Sequence, residues 1–308
     1  MRTSFHSQQL QHSCALKYEL TRVRDIGNVD SYVPEDKDAN ADLAYGKTIG
    51  AGFATLLATK DLDAAIFKAA CVYSFWESDK KCFEGIVAAL QVLKKEFPLH
   101  LYTSIKDEAA IKITLGTNPD TGEEDWWCGF IDLILRREDT GKYVIGEVKS
   151  CGLNRDDLSP LYQNSAQALG YSIALPHLPM IQSSEASFEA MYIVAHIPGQ
   201  QWFPKIKTYI FGKTPLDRLR WLLNLQLDYE QYFKYREMSY WPHNGEACLS
   251  YNRPCPLFGL CHTLDPTDFP YREPDKIDLM KPEKWDIDIS LAELINYEHN
   301  VQKQLEHI

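Results

Sequence analysis

The sequence predicts an α/β protein, a mixed β-sheet flanked by helices, and three observations predict it. Two runs rich in β-branched and aromatic residues, Gly129–Leu135 and Tyr143–Lys149, are separated by a stretch holding Asp139, Thr140 and Gly141. That is the composition of a reversal between antiparallel strands. Two further runs, Ser187–Ile197 and Trp202–Phe211, alternate in strand fashion around a Pro198–Gln201 turn. Apolar residues recur at three- and four-residue steps over Leu62–Ser74 and Cys82–Phe97, the period of helices packed on one side.

The remaining elements follow in chain order. Ser7–Leu20 has apolar and aromatic residues at helical spacing, with Ser4 or Ser7 as N-cap. Asp25–Asp42 is polar, with Gly, Pro and many acids, and reads as a loop. Cys71 and Cys82 fall within apolar helical patterns and are expected in the core. Ile111–Leu115 reads as a strand, followed by a turn-rich connection over Asn118–Asp125. Trp127 is expected to pack inward, leaving Trp126 on the opposite face as a candidate to contact a substrate base. A helix is expected from Ser159–Pro160 onward, with Gln163, Gln167 and Tyr171 on one face at i, i+4 and i+8, and Leu161, Ala168, Leu169 and Ile173 supplying the packing side. Thr214 and Pro215 have the chemistry of an N-cap and first helical position for a helix running to about Met238. Lys213, Arg218 and Arg220 form the best local basic patch.

The chain has 308 residues, is 45% hydrophobic and 24% charged, and carries a net charge of -11. Such a composition suits a globular protein and argues against general disorder. The tail from His262 to Ile308 holds -6 of that charge, leaving -5 for residues 1–261. The acidic balance argues mildly against tight nonspecific DNA binding, where a basic face is expected. Lys60, Asp61, Asp63 and Lys68 interrupt the best apolar stretch, and the N-terminus is polar, so a cytoplasmic protein is expected. In that compartment eight cysteines are a poor disulfide framework, and any that are grouped point to a metal or cluster.

The hairpin carries the chemistry. Side chains two apart on a strand share a face, so Glu147 and Lys149 point the same way, about 6 to 7 Å apart along the strand, while Val148 points to a core. Asp132 on the partner strand faces them. Carboxylates can hold a hard cation, and a Lys beside them offsets charge on an attacking water or a phosphate, which is what metal-dependent phosphodiester hydrolysis needs. An amide and a phenol, Gln167 and Tyr171, are suited to holding a phosphate or base edge by hydrogen bonds.

Gly129–Asp132, then Glu147–Lys149, then Gln167–Tyr171 resemble the successive motifs of the RecB-like branch of the PD-(D/E)XK nucleases. The resemblance spans most of residues 1–261. It implies a restriction-endonuclease-like core that binds Mg²⁺ or Mn²⁺ through Asp132, Glu147 and the carbonyl of Val148. Lys149 would position the water or help deprotonate it, and Gln167 and Tyr171 would orient DNA. Ala44–Leu57 resembles the first motif of that branch, a Gly followed four residues later by a metal-binding His. Gly50 stands at that place, which removes one expected ligand; Glu84 replaces it only if the fold brings it near.

Cys248, Cys255 and Cys261 lie in a short loop containing Pro and Gly. Three thiolates are one short of the four ligands usual for tetrahedral zinc or a four-iron cluster. In some RecB-like nucleases, including AddB-type helicase-nuclease subunits and CRISPR adaptation nucleases, one Cys before the core joins three after it to hold an iron–sulfur cluster. Cys14 stands in the matching place, so the resemblance implies that Cys14, Cys248, Cys255 and Cys261 hold a [4Fe-4S] cluster. Zinc, with His262 as a further ligand, and no metal are the alternatives. The six-residue gap between Cys248 and Cys255 exceeds the two-residue gap of better-known members.

The expected organisation is a nuclease domain over 1–261 and an acidic, Pro-containing tail over 262–308, ending in an amphipathic helix through Leu291, Leu294, Ile295 and Val301. The expected function is a metal-dependent DNA nuclease, an exonuclease acting at DNA ends or single-stranded regions in recombination, repair or phage DNA processing, with a recombination or helicase protein as partner. The competing class is a nuclease fold that has lost cleavage and binds DNA ends or a partner.

Overall fold

The antiparallel pairing expected of the two apolar runs forms in the computed structural model, which describes residues 2–24, 37–73, 81–119, 121–181, 188–197, 204–250 and most of 253–268. The elements are β1 (Arg2–Thr3), α1 (Phe5–Ser13), α2 (Ala15–Tyr18), a π-helical turn (Glu19–Val23), α3 (Lys37–Thr59), α4 (Leu62–Val72), α5 (Phe83–Glu96), β2 (Tyr102–Thr117), β3 (Glu124–Arg137), β4 (Tyr143–Cys151), α6 (Ser159–Tyr162), α7 (Ala166–Ala174), β5 (Phe188–His196), β6 (Lys205–Lys213), α8 (Pro215–Glu237), β7 (Leu249–Ser250) and β8 (Arg253–Pro254). The main sheet runs β1-β3-β4-β5-β6, with β2 also pairing β3. It is mixed: β1 with β3 and β4 with β5 are parallel, whereas β3 with β4 and β5 with β6 are antiparallel. The chain divides into two compact units, one of residues 1–35, 111–129 and 219–308, the other of residues 36–110 and 130–218.

In the second unit the alternation of β4 and β5 sorts side chains to two sheet faces. Val144, Met191, Ile193 and Ala195 turn to α3, α4 and α5 and form the main core with Ile49, Phe53, Leu57, Ile86 and Leu90. Tyr192, Val194 and Ala190 turn the other way, to Leu158 and Ala168. Val148 packs against the first core as expected, which leaves Glu147 and Lys149 on the second face. Gly52 of α3 has a packing reason: a Cβ there would lie 2.9 Å from Leu90 Cδ1 and 3.2 Å from Ala69 Cβ. The helix forms from Lys37 onward, earlier than the loop expected to Asp42; residues 25–36 lie outside the described residues. Cys71 is exposed, not in the core, because the buried positions of α4 are Ala65 and Ala69. Cys82 is half-buried.

Two expectations about the other face need correction. The helix expected from Ser159 is broken into α6 and α7, so Gln163 lies between them, exposed, and does not share the face of Gln167 and Tyr171. The basic patch is not one: Lys213 is 3% and Arg218 6% exposed, with the Arg218 guanidinium 5.3 Å from the Phe188 ring. Thr214 does cap α8, accepting the Asp217 N–H at 3.2 Å while Asp217 Oδ2 accepts from Thr214 N–H at 3.1 Å, a reciprocal cap.

In the first unit Ser4 caps α1, accepting weakly from Ser7 N–H at 3.4 Å. The expected single opening helix is interrupted at Cys14, which is extended at φ -162° and ψ 107° and begins α2. Trp127 is fully buried and meets Trp221 edge-on at 5.1 Å. Trp126 is on the other side, but Lys112 Nζ sits 3.1 Å from its ring centre, so a cation already covers that ring. The expected strand at Ile111–Leu115 is part of the longer β2. The terminal helix expected over 289–305 lies outside the described residues. Among the described residues no helix is long and apolar enough to cross a membrane.

Candidate functional site

The ladder between β3 and β4 is recorded from Arg136–Tyr143 to Leu133–Gly146, one pair short of Asp132 opposite Glu147. There a side chain takes up a strand N–H: Val148 N–H donates to Asp132 Oδ2 at 3.0 Å. This bond pins Asp132 beside Glu147. Lys149, two residues along β4, turns back to donate from Nζ to Glu147 Oε2 at 2.7 Å. The same ammonium donates to Gln167 Oε1 at 3.3 Å, and Gln167 Nε2 donates to Tyr171 Oη at 2.8 Å. Asp132, Glu147, Lys149, Gln167 and Tyr171 are thus brought together within one unit, the last four by a continuous run of hydrogen bonds.

The electrostatics of this run follow from burial. Glu147 is fully buried. Desolvation pushes its carboxyl up to about 8, with Lys149 pulling it down and the neighbouring Asp132 raising it further. Burial alone would lower Lys149, but the charges of Glu147 and Asp132 outweigh it and hold the ammonium above its ordinary value. Tyr171 is pushed up first by burial and then by the charge of Glu147. Glu147 Oε1 is buried and finds no hydrogen-bond donor. Raised that far, Glu147 keeps a proton beside Asp132 at neutral pH, and a divalent cation that displaced this proton would relieve the two crowded acidic groups. Two carboxylates are also a sufficient protein contribution for Mg²⁺, which keeps waters and takes substrate phosphate oxygens for the rest. The site therefore fits a hard divalent cation.

No third ligand is in place. Among the described residues no three His, Cys, Asp or Glu side chains are grouped to hold an ion, and Glu84 is exposed in the first turn of α5. Gly46 of α3 lies against β4, where its Cβ would be 3.6 Å from Ser150 Oγ. One turn later, a Cβ on Gly50 would meet nothing within 4 Å. Space is open at Gly50, and among the described residues no side chain fills it. The Val148 peptide contributes its N–H to Asp132.

Sequence inspection missed Tyr192. It stands beside Glu147 in the β4–β5 ladder, is 1% exposed and stacks on Tyr162 with ring centres 4.7 Å apart. Burial raises its phenol, and the charges of Glu147 and Asp132 add to that. Nothing in the local sequence around Tyr192 signals this, because a parallel crossover brings it to Glu147.

The first unit holds a separate constellation. Cys14, Cys248, Cys255 and Cys261 line one pocket together with Leu16, Leu20, Leu257 and Phe258, with Lys17 and His243 also on its wall. The long gap between Cys248 and Cys255 is folded away: β7 and β8 pair across it, and Cys255 N–H donates to the Cys248 carbonyl at 2.7 Å. A tight turn then returns Cys261, whose N–H donates to the Leu257 carbonyl at 2.8 Å. Burial raises the Cys261 thiol, and the nearness of Cys248, Cys255 and Cys14 raises it further. All four cysteines are free of disulfides. Four thiols line one apolar pocket, the donor type a soft metal takes, although as they stand no three of them are grouped to hold an ion. His262 lies outside the described residues.

No family model matches the chain, and no curated protein sequence matches it. Among solved structures the chain is similar to a candidate exonuclease from Eubacterium rectale, at 12% sequence identity and a TM-score of 0.49, with 92% of this chain and 93% of that chain covered. A likeness that remote carries no activity with it.

Proposed function

We propose that this protein is a Mg²⁺- or Mn²⁺-dependent deoxyribonuclease of the RecB-like PD-(D/E)XK type, an exonuclease acting at DNA ends in recombination, repair or phage DNA processing. The observation that carries the reading is Glu147: fully buried, one oxygen without a donor, beside Asp132 and ion-paired to Lys149. Structural ion pairs also occur in cores, but a core has no use for two adjacent carboxylates with an unsatisfied oxygen. Asp132 and Glu147 would hold the cation. Bound there, a divalent cation supplies Lewis-acid chemistry, polarising a phosphate and easing the deprotonation of water.

The chain's own residues do the rest. Lys149 keeps its proton, so it acts as a donor that orients the attacking water and offsets phosphate charge. Gln167 holds the Lys149 ammonium through its Oε1 and the Tyr171 phenol through its Nε2, fixing two donors at one side of the site. Those groups would orient the DNA strand by hydrogen bonds to phosphate oxygens. In the first unit, Cys14, Cys248, Cys255 and Cys261 would hold a [4Fe-4S] cluster through their thiolates; zinc is the alternative.

The test is cleavage of labelled DNA with single-stranded, blunt and recessed ends at low-millimolar Mg²⁺ or Mn²⁺. Activity that survives both Asp132→Ala and Lys149→Ala sinks the reading. The missing ligand at Gly50 favours a second reading, a nuclease fold that binds DNA ends or a partner protein without cutting. Undiminished DNA affinity with no metal-dependent cleavage by the unaltered protein would establish it.

A further inference from the structure

The break between α6 and α7 is tied to a buried lysine at the end of β6. In an unbroken helix the Gln163 carbonyl would accept the N–H of Gln167. Here it accepts the ammonium of Lys213 at 2.6 Å. Lys213 ends β6, is 3% exposed, and directs a buried charge to a backbone carbonyl. A charge that deep is costly unless its partner is held firmly. The contact belongs to a series. His196 Nε2 lies 2.7 Å from the Leu153 carbonyl, Lys207 bonds the Asp156 carbonyl, and Tyr209 Oη accepts the Leu158 N–H at 3.2 Å. Side chains of β5 and β6 thus hold the connection at four backbone groups between Leu153 and Gln163.

We propose that Lys213 is a positioning residue: by taking the Gln163 carbonyl out of helical bonding it sets where α7 begins, and so places Gln167 and Tyr171 against Lys149. Gln167 reaches Lys149 only at 3.3 Å, so a small rotation of α7 would break that bond. A merged helix would bring Gln163 onto the face of Gln167 and Tyr171 and turn the pair away from β4. Lys213 touches no reacting group and acts through Gln163.

The kinetic half of this inference rests on the nuclease reading; the structural half does not. The experiment uses the full chain and Lys213→Met, which keeps the apolar stem and removes the donor, with Lys205→Met on the exposed start of β6 as control. Lys213→Leu, also apolar and without a donor, replaces it if the Met variant does not fold. Hydrogen exchange over 166–174 should accelerate about tenfold with the 129–149 hairpin unchanged, and kcat for DNA cleavage should fall about 100-fold with KM within about twofold. Lys205→Met should change neither. Unchanged exchange over 166–174 overturns the inference, as does acceleration spread evenly over the chain, which makes Lys213 merely a fold residue. Local acceleration with unchanged kcat overturns it too. Local acceleration in a protein that cleaves no DNA at all leaves the placement of α7 standing and defeats the nuclease reading instead.

Discussion

The carboxylate site and the cysteine pocket are built on opposite plans. Asp132, Glu147 and Lys149 come from one hairpin, and their polar atoms bind each other: Val148 N–H holds Asp132, and Lys149 holds Glu147 and Gln167. One oxygen, Glu147 Oε1, is left over. In the pocket Cys14 meets three cysteines from the far end of the chain, and the bonds made by the sulfurs are long ones to backbone groups, 3.5 Å from Lys17 N–H to Cys14 and 3.8 Å from Cys248 to the Asn244 carbonyl. The first site can hold its shape without a cation. Among the described residues the bond across the second site's two segments is Leu16 N–H to the Pro242 carbonyl at 3.0 Å, so a bound group would stabilise the fold as well as occupy it. Changes at the first should therefore alter activity, and changes at the second stability.

The largest effect should come from Lys149→Ala or Asp132→Ala. Each should lower metal-dependent cleavage by about a thousandfold or more, the scale of losing a principal charge-stabilising group. Thermal unfolding of Asp132→Ala should shift little compared with Cys255→Ser, whereas Lys149→Ala leaves the buried Glu147 carboxyl without its partner and should cost stability as well. Equal loss of stability at both sites would erase the contrast between them.

Next comes Cys255→Ser. Anaerobically purified protein should show visible absorbance and bound iron, and the variant should lose both along with several kcal/mol of stability, read as a fall in Tm. A colourless protein with stoichiometric zinc would replace the cluster by zinc and leave the contrast intact. A colourless, metal-free protein with unchanged Tm after Cys255→Ser would break it.

A smaller effect concerns pH. Glu147 is raised from 4.5 to about 8 in the fold, so the folded state binds the proton more tightly than the unfolded chain. Stability is then fully present below about 4.5 and falls as pH rises towards 8, on the order of a few kcal/mol across that window in metal-free protein. Glu147→Gln should flatten this dependence. Millimolar Mg²⁺ should flatten it too if the cation binds there, and failure of Mg²⁺ to do so would count against the metal site.

The smallest effect is at His12, which precedes Cys14 in the first unit and pairs with Asp228 at 2.7 Å. The Asp228 bond raises the imidazole above 6.5. Its contribution is present below that value and is lost as pH rises through the folded one. The side chain is 56% exposed, so solvent limits it to about 1 kcal/mol or less. His12→Ala should remove a shallow pH dependence of Tm above 6.5 without touching the larger one set by Glu147.

The residues whose placement agrees with the local sequence pattern share a short range. Glu147, Lys149 and inward-turned Val148 follow from the two-residue repeat of one strand, and Asp132 from the pairing across one turn. Gln167 and Tyr171 are one helical turn apart. The Thr214 cap and the N-cap at Ser4 are equally local. The failures lie elsewhere. Lys213 and Arg218 look like solvated charges in any window, yet both are buried, Lys213 against the Gln163 carbonyl and Arg218 over the Phe188 ring. Cys71 keeps helical rhythm with the core of α4 but sits two residues past Ala69, on the wrong side of the helix.

Local repeats therefore determined the strands, the hairpin and the candidate acid, acid and lysine, since periods of two and of about four residues place side chains before any tertiary contact exists. Tertiary structure alone decided three further things. It broke the helix at Gln163 by offering its carbonyl the buried Lys213 ammonium, set Tyr192 beside Glu147 through a parallel crossover, and closed the gap between Cys248 and Cys255 while bringing Cys14 to them. Each joins groups from separate elements or distant parts of the chain. The physical reason is common to all: burial and long-range hydrogen bonding choose partners by their place in space, and no short window of sequence carries that information.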